Sequence, residues 1–325
     1  MKRSALAGGM IWAGVVTISM FGPKLDLRWA ARRLGAIELL FLLGPLVVVP
    51  MGLELFARLE DGAVRSSLIR AARLLQFPAA ILVVASFFFE RGVLATALVT
   101  PWFIVGSLVG CRGLLVLLSP TPKNLKTACV TASFFYLPIG CTWLIASRFG
   151  LTPINFQEPI VLLTAVHFHF AGFAAPLMTR AAATVIERGT LLARRTFGAV
   201  AVGVLAGPGV LAAGFIVGPR LKVTAALILV ASEIGLALFF LMAVRRLHPR
   251  WTRVFVTISA ASVLGAMCLA AVWAIGEYPL QPFVHLAEMA KFHGTANALG
   301  FTLCGLVGWT ISLPEAATRE DRGAR

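Results

Sequence analysis

The sequence predicts an all-α fold: a polytopic bundle of about ten helices crossing a lipid bilayer, nine if the first does not cross. Three observations predict it. Hydrophobic residues make up 59% of the 325 and charged residues 13%, whereas a globular chain is about half apolar and a quarter charged. Phe occurs 23 times and Tyr twice, and the mean hydropathy is +0.89. The apolar stretches are continuous and about 17–25 residues long, the length a helix needs to span hydrocarbon. A soluble fold, a disordered chain, a disulfide scaffold and a coiled coil are excluded. An outer-membrane barrel would instead alternate apolar and polar residues over segments of about 10.

The first span covers 6–21. Lys2 and Arg3 precede it, and no small-residue cleavage site stands before Phe21-Gly22-Pro23, so it reads as a signal-anchor helix rather than a signal peptide. The next four spans are 34–57, 74–89, 92–118 and 128–147. The last five are 159–178, 197–217, 223–244, 254–275 and 282–313. Residues 1–313 form one transmembrane domain, and 314–325 a charged cytoplasmic tail. No internal repeat is visible.

The basic residues set the orientation. One series of connections carries Arg58, Arg65, Arg70, Arg73, Lys123 and Lys126. It continues with Arg180, Arg188, Arg194 and Arg195, then Arg245, Arg246, Arg250 and Arg253. The opposite series carries Arg91, Arg148, Arg220 and Lys222, together with the basic segment 24–33, which is the exception to the rule. The first series and both termini are expected in the cytoplasm, and the chain in a bacterial inner membrane. The net charge of +15 then belongs to loops that touch anionic headgroups. No basic domain interleaved with aromatics suggests nucleic acid. Cys111, Cys129, Cys141, Cys268 and Cys304 lie in apolar stretches without a CxxC, and read as small buried residues. Trp143, Trp273, Trp251 and Trp309 read as interface anchors, and Glu54 and Glu90 as solvated span ends.

An ionisable group at the centre of a spanning helix costs about 2.5 kcal/mol or more, so those that occur carry information. His167 and His169 lie in the sixth span, His285 and His293 in the tenth. On a regular helix His167 and His169 face nearly opposite ways, and Thr164 shares the His167 face. In the tenth span His285 and Glu288 share a face, Glu288 and Lys291 are spaced to pair, and Asn297 follows His293 by one turn. His167 and His293 fall at similar depths and are expected to meet in a cavity in the outer half of the bilayer. Glu38, Glu158, Glu233, Glu277 and Arg112 are further candidates for a site or an ion pair.

Two stretches resemble the YndJ-like family of bacterial membrane proteins: Thr-Ala-Val-His-Phe-His-Phe-Ala-Gly-Phe (164–173) and His-Gly-Thr-Ala-Asn-Ala-Leu-Gly-Phe (293–301). The family is sometimes labelled as transporters. The resemblance directs attention to His167, His169, His293 and Asn297, and names no reaction.

Three functions compete. The first is a cofactor-free acid–base enzyme, an isomerase, cyclase or dehydratase acting on a lipophilic small molecule. His167 and His293 would be acid and base, with Glu158, Glu288 and Glu233 orienting or complementing them. Asn297 would polarise a substrate oxygen, and His169, His285, Thr164, Glu38 and Arg112 would line the substrate site. The second is a proton-linked small-molecule transporter; the lack of visibly broken helices counts against it. The third is a haem- or metal-binding membrane protein, although no HExxH, CxxCH or Glu-x-x-His occurs. No Walker A, Gly-x-Ser-x-Gly or Gly-x-Gly-x-x-Gly is present, and Asp occurs only at Asp26, Asp61 and Asp321.

Overall fold

The computed structural model describes residues 2–21, 34–60, 66–120, 123–277 and 284–314. The basic segment 24–33, Arg65 and the tail from residue 315 lie outside them. All secondary structure in the described residues is helical. Ten elements follow the ten apolar stretches in order. They are α1 Lys2–Phe21, α2 Ala36–Leu59, α3 Ser67–Ser86, α4 Val93–Leu118 and α5 Leu125–Phe149. Then come α6 Ile160–Ile186, α7 Leu191–Val217 and α8 Pro219–Val244, α9 Arg250–Glu277 and α10, residues 286–312. Among the described residues nine helices, α1 to α9, are long and apolar enough to cross a membrane. Helix α10 is as long, but its first half carries Glu288, Lys291, His293 and Asn297.

Several helices start earlier or end later than their apolar cores. Helix α3 begins at Ser67 rather than 74, α6 continues to Ile186 rather than 178, and α7 begins at Leu191 rather than 197. A helix leaving lipid keeps its backbone bonds until a cap releases it. Thr190 is such a cap, its hydroxyl accepting from the Ala193 amide at 3.2 Å. Arg70, Arg73, Arg180, Arg194 and Arg195, which the sequence places in connections, therefore lie on helices.

Three helices contain π-helical turns. They occur at Gly44–Val48 in α2, Phe168–Ala174 in α6, and Met289–Gly294 and Ala296–Leu303 in α10. The first two have a proline as cause: Pro45 and Pro176 donate no N–H, and the ring crowds the carbonyl four residues back. The Pro45 carbonyl accepts from Gln76 Nε2 at 2.8 Å. In α10 a side chain competes with the ladder: Asn297 Nδ2 donates to the His293 carbonyl at 3.0 Å. These turns correct the expectation of spans without visible breaks.

The chain forms two compact units. The first comprises Met1–Glu54, Gly62–Ser119 and Phe134–Phe173. Here α1 lies on α2 with no room between them: a Cβ at Gly8 would sit 2.0 Å from the Leu46 carbonyl oxygen. Trp12 Nε1 donates to the Leu39 carbonyl at 2.7 Å. Gly8→Leu should therefore displace α1 from α2. Measured as accessibility of a cysteine placed at Ala5, which is buried, labelling should change from protected to open. Protection equal to that with Gly8 would contradict the contact.

The second unit comprises Leu55–Asp61, Pro120–Ser133 and Ala174–Arg325. Helices α7 and α8 approach closely at Gly207, where a Cβ would meet Leu229 Cδ1 at 2.6 Å. Helices α9 and α10 run antiparallel, since Ala266 accepts from His293 while Ser259, further back on α9, donates to Phe301.

Candidate functional site

In the first unit His169 lies inside the π turn of α6 and is fully buried. Trp102 Nε1 donates to its Nε2 at 3.0 Å, so its proton is on Nδ1, which donates to the Ala165 carbonyl at 2.8 Å. Phe41 meets the ring edge-on at 5.2 Å. Both nitrogens are engaged, and the imidazole ties α4 to α6. Trp102→Phe should leave Nε2 buried without a partner and cost about 1–3 kcal/mol. Thermal unfolding in detergent would read it; no loss would mean that the bond carries nothing. His167 precedes the π turn, is half-buried and meets the Phe168 ring edge-on at 6.1 Å. Thr164 donates to its own helix at Ile160.

Glu158 opens α6. It accepts from the Ser147 hydroxyl at 2.5 Å and from the Leu162 amide at 3.2 Å, with Arg91 3.9 Å away. Glu38 lies half-buried in the first turn of α2. Arg112 is half-buried on α4, its Nε buried with no hydrogen-bond partner among the described residues. Glu54, which the sequence leaves to solvent, pairs with Arg73 at 3.4 Å. Arg148, counted from sequence as a loop residue, is 1% exposed. Its Nη2 donates at 2.9 Å to the carbonyls of both Ser86 and Phe89, and its guanidinium carbon lies 4.8 Å from the Phe87 ring centre.

In the second unit His293 sits in the first π turn of α10. Its Nδ1 donates to the Ala266 carbonyl at 2.9 Å, and its Nε2 accepts from Asn297 Nδ2 at 3.1 Å. Glu288 turns back to cap its own helix, accepting from the His285 amide at 3.1 Å, and both residues are exposed. The expected pair of Glu288 with Lys291 does not form; Lys291 lies over the Phe292 ring instead. The short helical step from cap to carboxylate satisfies the backbone amide first.

Glu233 stands apart. It lies within α8, is 4% exposed, and its Oε2 has no partner among the described residues. It shares a face with Phe240, seven residues on (240 − 233), which packs on Phe301 and Trp309 of α10. Helices α8 and α10 each pair with α9, α8 through a short connection, so they run parallel to each other. The same step back from Phe301 and Trp309 reaches Gly294 and Thr302 (301 − 7, 309 − 7), the segment that holds Asn297 beside His293. Glu233 is thus level with residues 294–302, the stretch of α10 that includes Asn297.

Three more buried groups without hydrogen-bond partners among the described residues follow along α10: Thr302 Oγ1, Trp309 Nε1 and Thr310 Oγ1. Trp309, expected as an interface anchor, is 1% exposed. Beyond them Arg58 Nη1 donates at 2.8 Å to the Thr310 carbonyl and at 2.9 Å to that of Leu313. Sequence reading missed these three because a Thr or Trp in a span has a packing explanation ready. Their seven- and eight-residue spacing along α10 is the signal that could have found them.

Among the described residues no three His, Cys, Asp or Glu side chains come together as a metal donor set. All five cysteines are free; Cys129 and Cys141 are buried, whereas Cys111 and Cys268 are exposed. The expectation of five buried thiols is corrected to that extent: an apolar residue in a span can face lipid as well as protein.

Fold and polar interior together define a polytopic α-helical integral membrane protein with ionisable groups inside its spanning helices. The chain belongs to the YndJ-like family, whose sequence model matches residues 39–301. It is similar to "Uncharacterized membrane protein YndJ" of Bacillus subtilis (strain 168), 25% identical over 188 residues, which are 58% of this chain and 33% of that relative. The matched region is thus a third of the relative's length. No solved structure matches the chain.

Proposed function

We propose that the protein carries protons through the interior of its second unit and couples this to the passage of a small lipophilic molecule. The observation that carries the reading is Glu233, a carboxyl buried in α8 with no partner for its Oε2 among the described residues. An unpaired carboxylate charge there would cost several kcal/mol. A carboxyl bearing a proton escapes most of that cost and can release the proton when its surroundings open to water. Thr302, Trp309 and Thr310 supply polar groups in sequence toward Arg58, the kind of lining that bridging waters need. The π turn of α10 at Asn297 loosens the helix at the level of Glu233, and such turns are frequent at functional sites.

Of the expected acid–base pair, His167 and His293, the second supports this reading instead: both ring nitrogens of His293 are engaged, which leaves it no free lone pair to act as base. In this reading the basic connections face the cytoplasm of a bacterial inner membrane, following their excess of Lys and Arg.

The test uses proteoliposomes with a pH-sensitive dye inside and a panel of lipophilic small molecules outside. A compound-dependent internal pH change, present in wild type and lost in Glu233→Gln, is expected. Chemical conversion of a compound without proton flux would instead favour the cofactor-free acid–base enzyme. Flux unchanged in Glu233→Gln would remove Glu233 from the mechanism.

A further inference from the structure

The second unit includes a cavity of about 310 Å³ beside Arg58, at the end of the row of polar groups on α10. Its wall is strongly cationic: Arg58, Lys126, Arg180 and Arg188 line it, with Leu313 and Thr184 between them. These residues come from the end of α2, the start of α5, the end of α6 and the end of α10. The four cations therefore converge from three separate segments, Arg58 from α2, Lys126 from α5, and Arg180 and Arg188 from α6 and the residues just past it, which no single stretch of sequence could announce.

Two of the four pair with carboxylates among the described residues. Glu187 also lines the cavity and pairs with Lys126 at 2.7 Å. Glu60 pairs with Arg180, its Oε1 lying 3.0 Å from Nε and 2.9 Å from Nη2. Arg180 is 6% exposed, and its Nη1 is buried without a hydrogen-bond partner among the described residues. A guanidinium so far from water keeps an unmet donor only at a cost of about 1–3 kcal/mol or more. Arg188, at the rim, is exposed and forms no ion pair among the described residues. The planar fork of Arg180 suits oxygens held in a tetrahedral anion, and Lys126 and Arg188 suit the remaining charge.

We infer that this cavity binds a phosphate-bearing anion, held by Arg180 and Arg188 with Lys126 and Arg58 around it. Two sources share that chemistry: the headgroup of an anionic phospholipid and free inorganic phosphate. A headgroup reaches the cavity from the bilayer surface, where basic pockets between helices bind such lipids. Free phosphate reaches it from the aqueous side.

The experiment uses the full-length protein in detergent. Native mass spectrometry is run with phosphatidylglycerol and phosphatidylcholine added in equal amounts, and thermal unfolding is followed with each lipid and with inorganic phosphate. Arg180→Gln risks misfolding, because Arg180 also anchors Glu60, so Arg188→Gln and Lys126→Gln at the rim are run beside it. The expected result is selective retention of phosphatidylglycerol with a raised unfolding temperature, weakened about tenfold by each rim substitution, a loss typical of a charge-assisted contact. A shift with inorganic phosphate alone, equally sensitive to Arg188→Gln, would assign the site to the soluble anion. Equal retention of both lipids with no phosphate effect, or binding indifferent to both rim substitutions, would overturn the inference.

Discussion

Glu233→Gln should leave the protein folded and abolish proton-coupled flux, and Glu233→Leu should raise its stability by about 1–3 kcal/mol, the cost of a buried polar group left unmet. The two substitutions separate what the carboxyl costs from what it does. Gln keeps the size and polarity of the side chain and removes the ionisable proton. Leu also removes the polar atoms, and neighbours on the same face, Leu229, Leu236 and Phe240, are apolar and buried. A residue whose removal stabilises the fold is retained for another reason, and polar residues inside membranes commonly serve substrate or proton paths. Thermal unfolding in detergent reads the first half, and the liposome assay the second. A destabilised Glu233→Leu would mean that the carboxyl has a structural partner.

Arg148→Leu should destabilise the first unit by about 1–3 kcal/mol, since the part-buried Phe89 carbonyl loses its guanidinium donor and the buried Ser86 carbonyl keeps only the Phe89 amide. The carbonyls are those of Ser86 and Phe89, in the turn joining α3 to α4. The guanidinium lies over Phe87 between them, and the Arg148 carbonyl accepts from the Gly92 amide at 2.9 Å. One side chain at the end of α5 thus holds a whole connection in place. Arg148→Lys should recover only part of the loss, because one ammonium does not reproduce a planar fork over an aromatic ring. Unfolding temperature and proteolysis at 87–92 would measure it. A variant as stable as wild type would show that the turn holds without the arginine.

The spans were legible because each depends on a local quantity, the run of apolar residues. Their edges were less so. Arg180 shows why: from sequence it is a charge just past an apolar run, whereas α6 carries it on and Glu60 accepts it. Ion partners of that kind come from distant segments. His167, His169 and His293 are buried or half-buried, whereas His285 is exposed; the partners of His169 and His293, the Trp102 indole and the Ala266 carbonyl, lie 67 and 27 residues away. Glu288 illustrates the opposite case, since a helix N-terminus three residues upstream claims it. Glu233 was visible from sequence as an ionisable residue in a span, and what the structure adds is the lack of a partner for its Oε2. The π turns were legible only in part: Pro45 and Pro176 mark two of them, whereas in α10 the back-bonding of Asn297 does not show as a breaker.

The central claim is that Glu233 holds an exchangeable proton inside the second unit. Infrared difference spectra of wild type minus Glu233→Gln, recorded in lipid, test it most directly. The account predicts a protonated carboxylic-acid carbonyl band in wild type that shifts on transfer to deuterated water and is missing from the variant. A carboxylate signature for Glu233 in its place, or no carboxylic-acid band that the substitution removes, would contradict it.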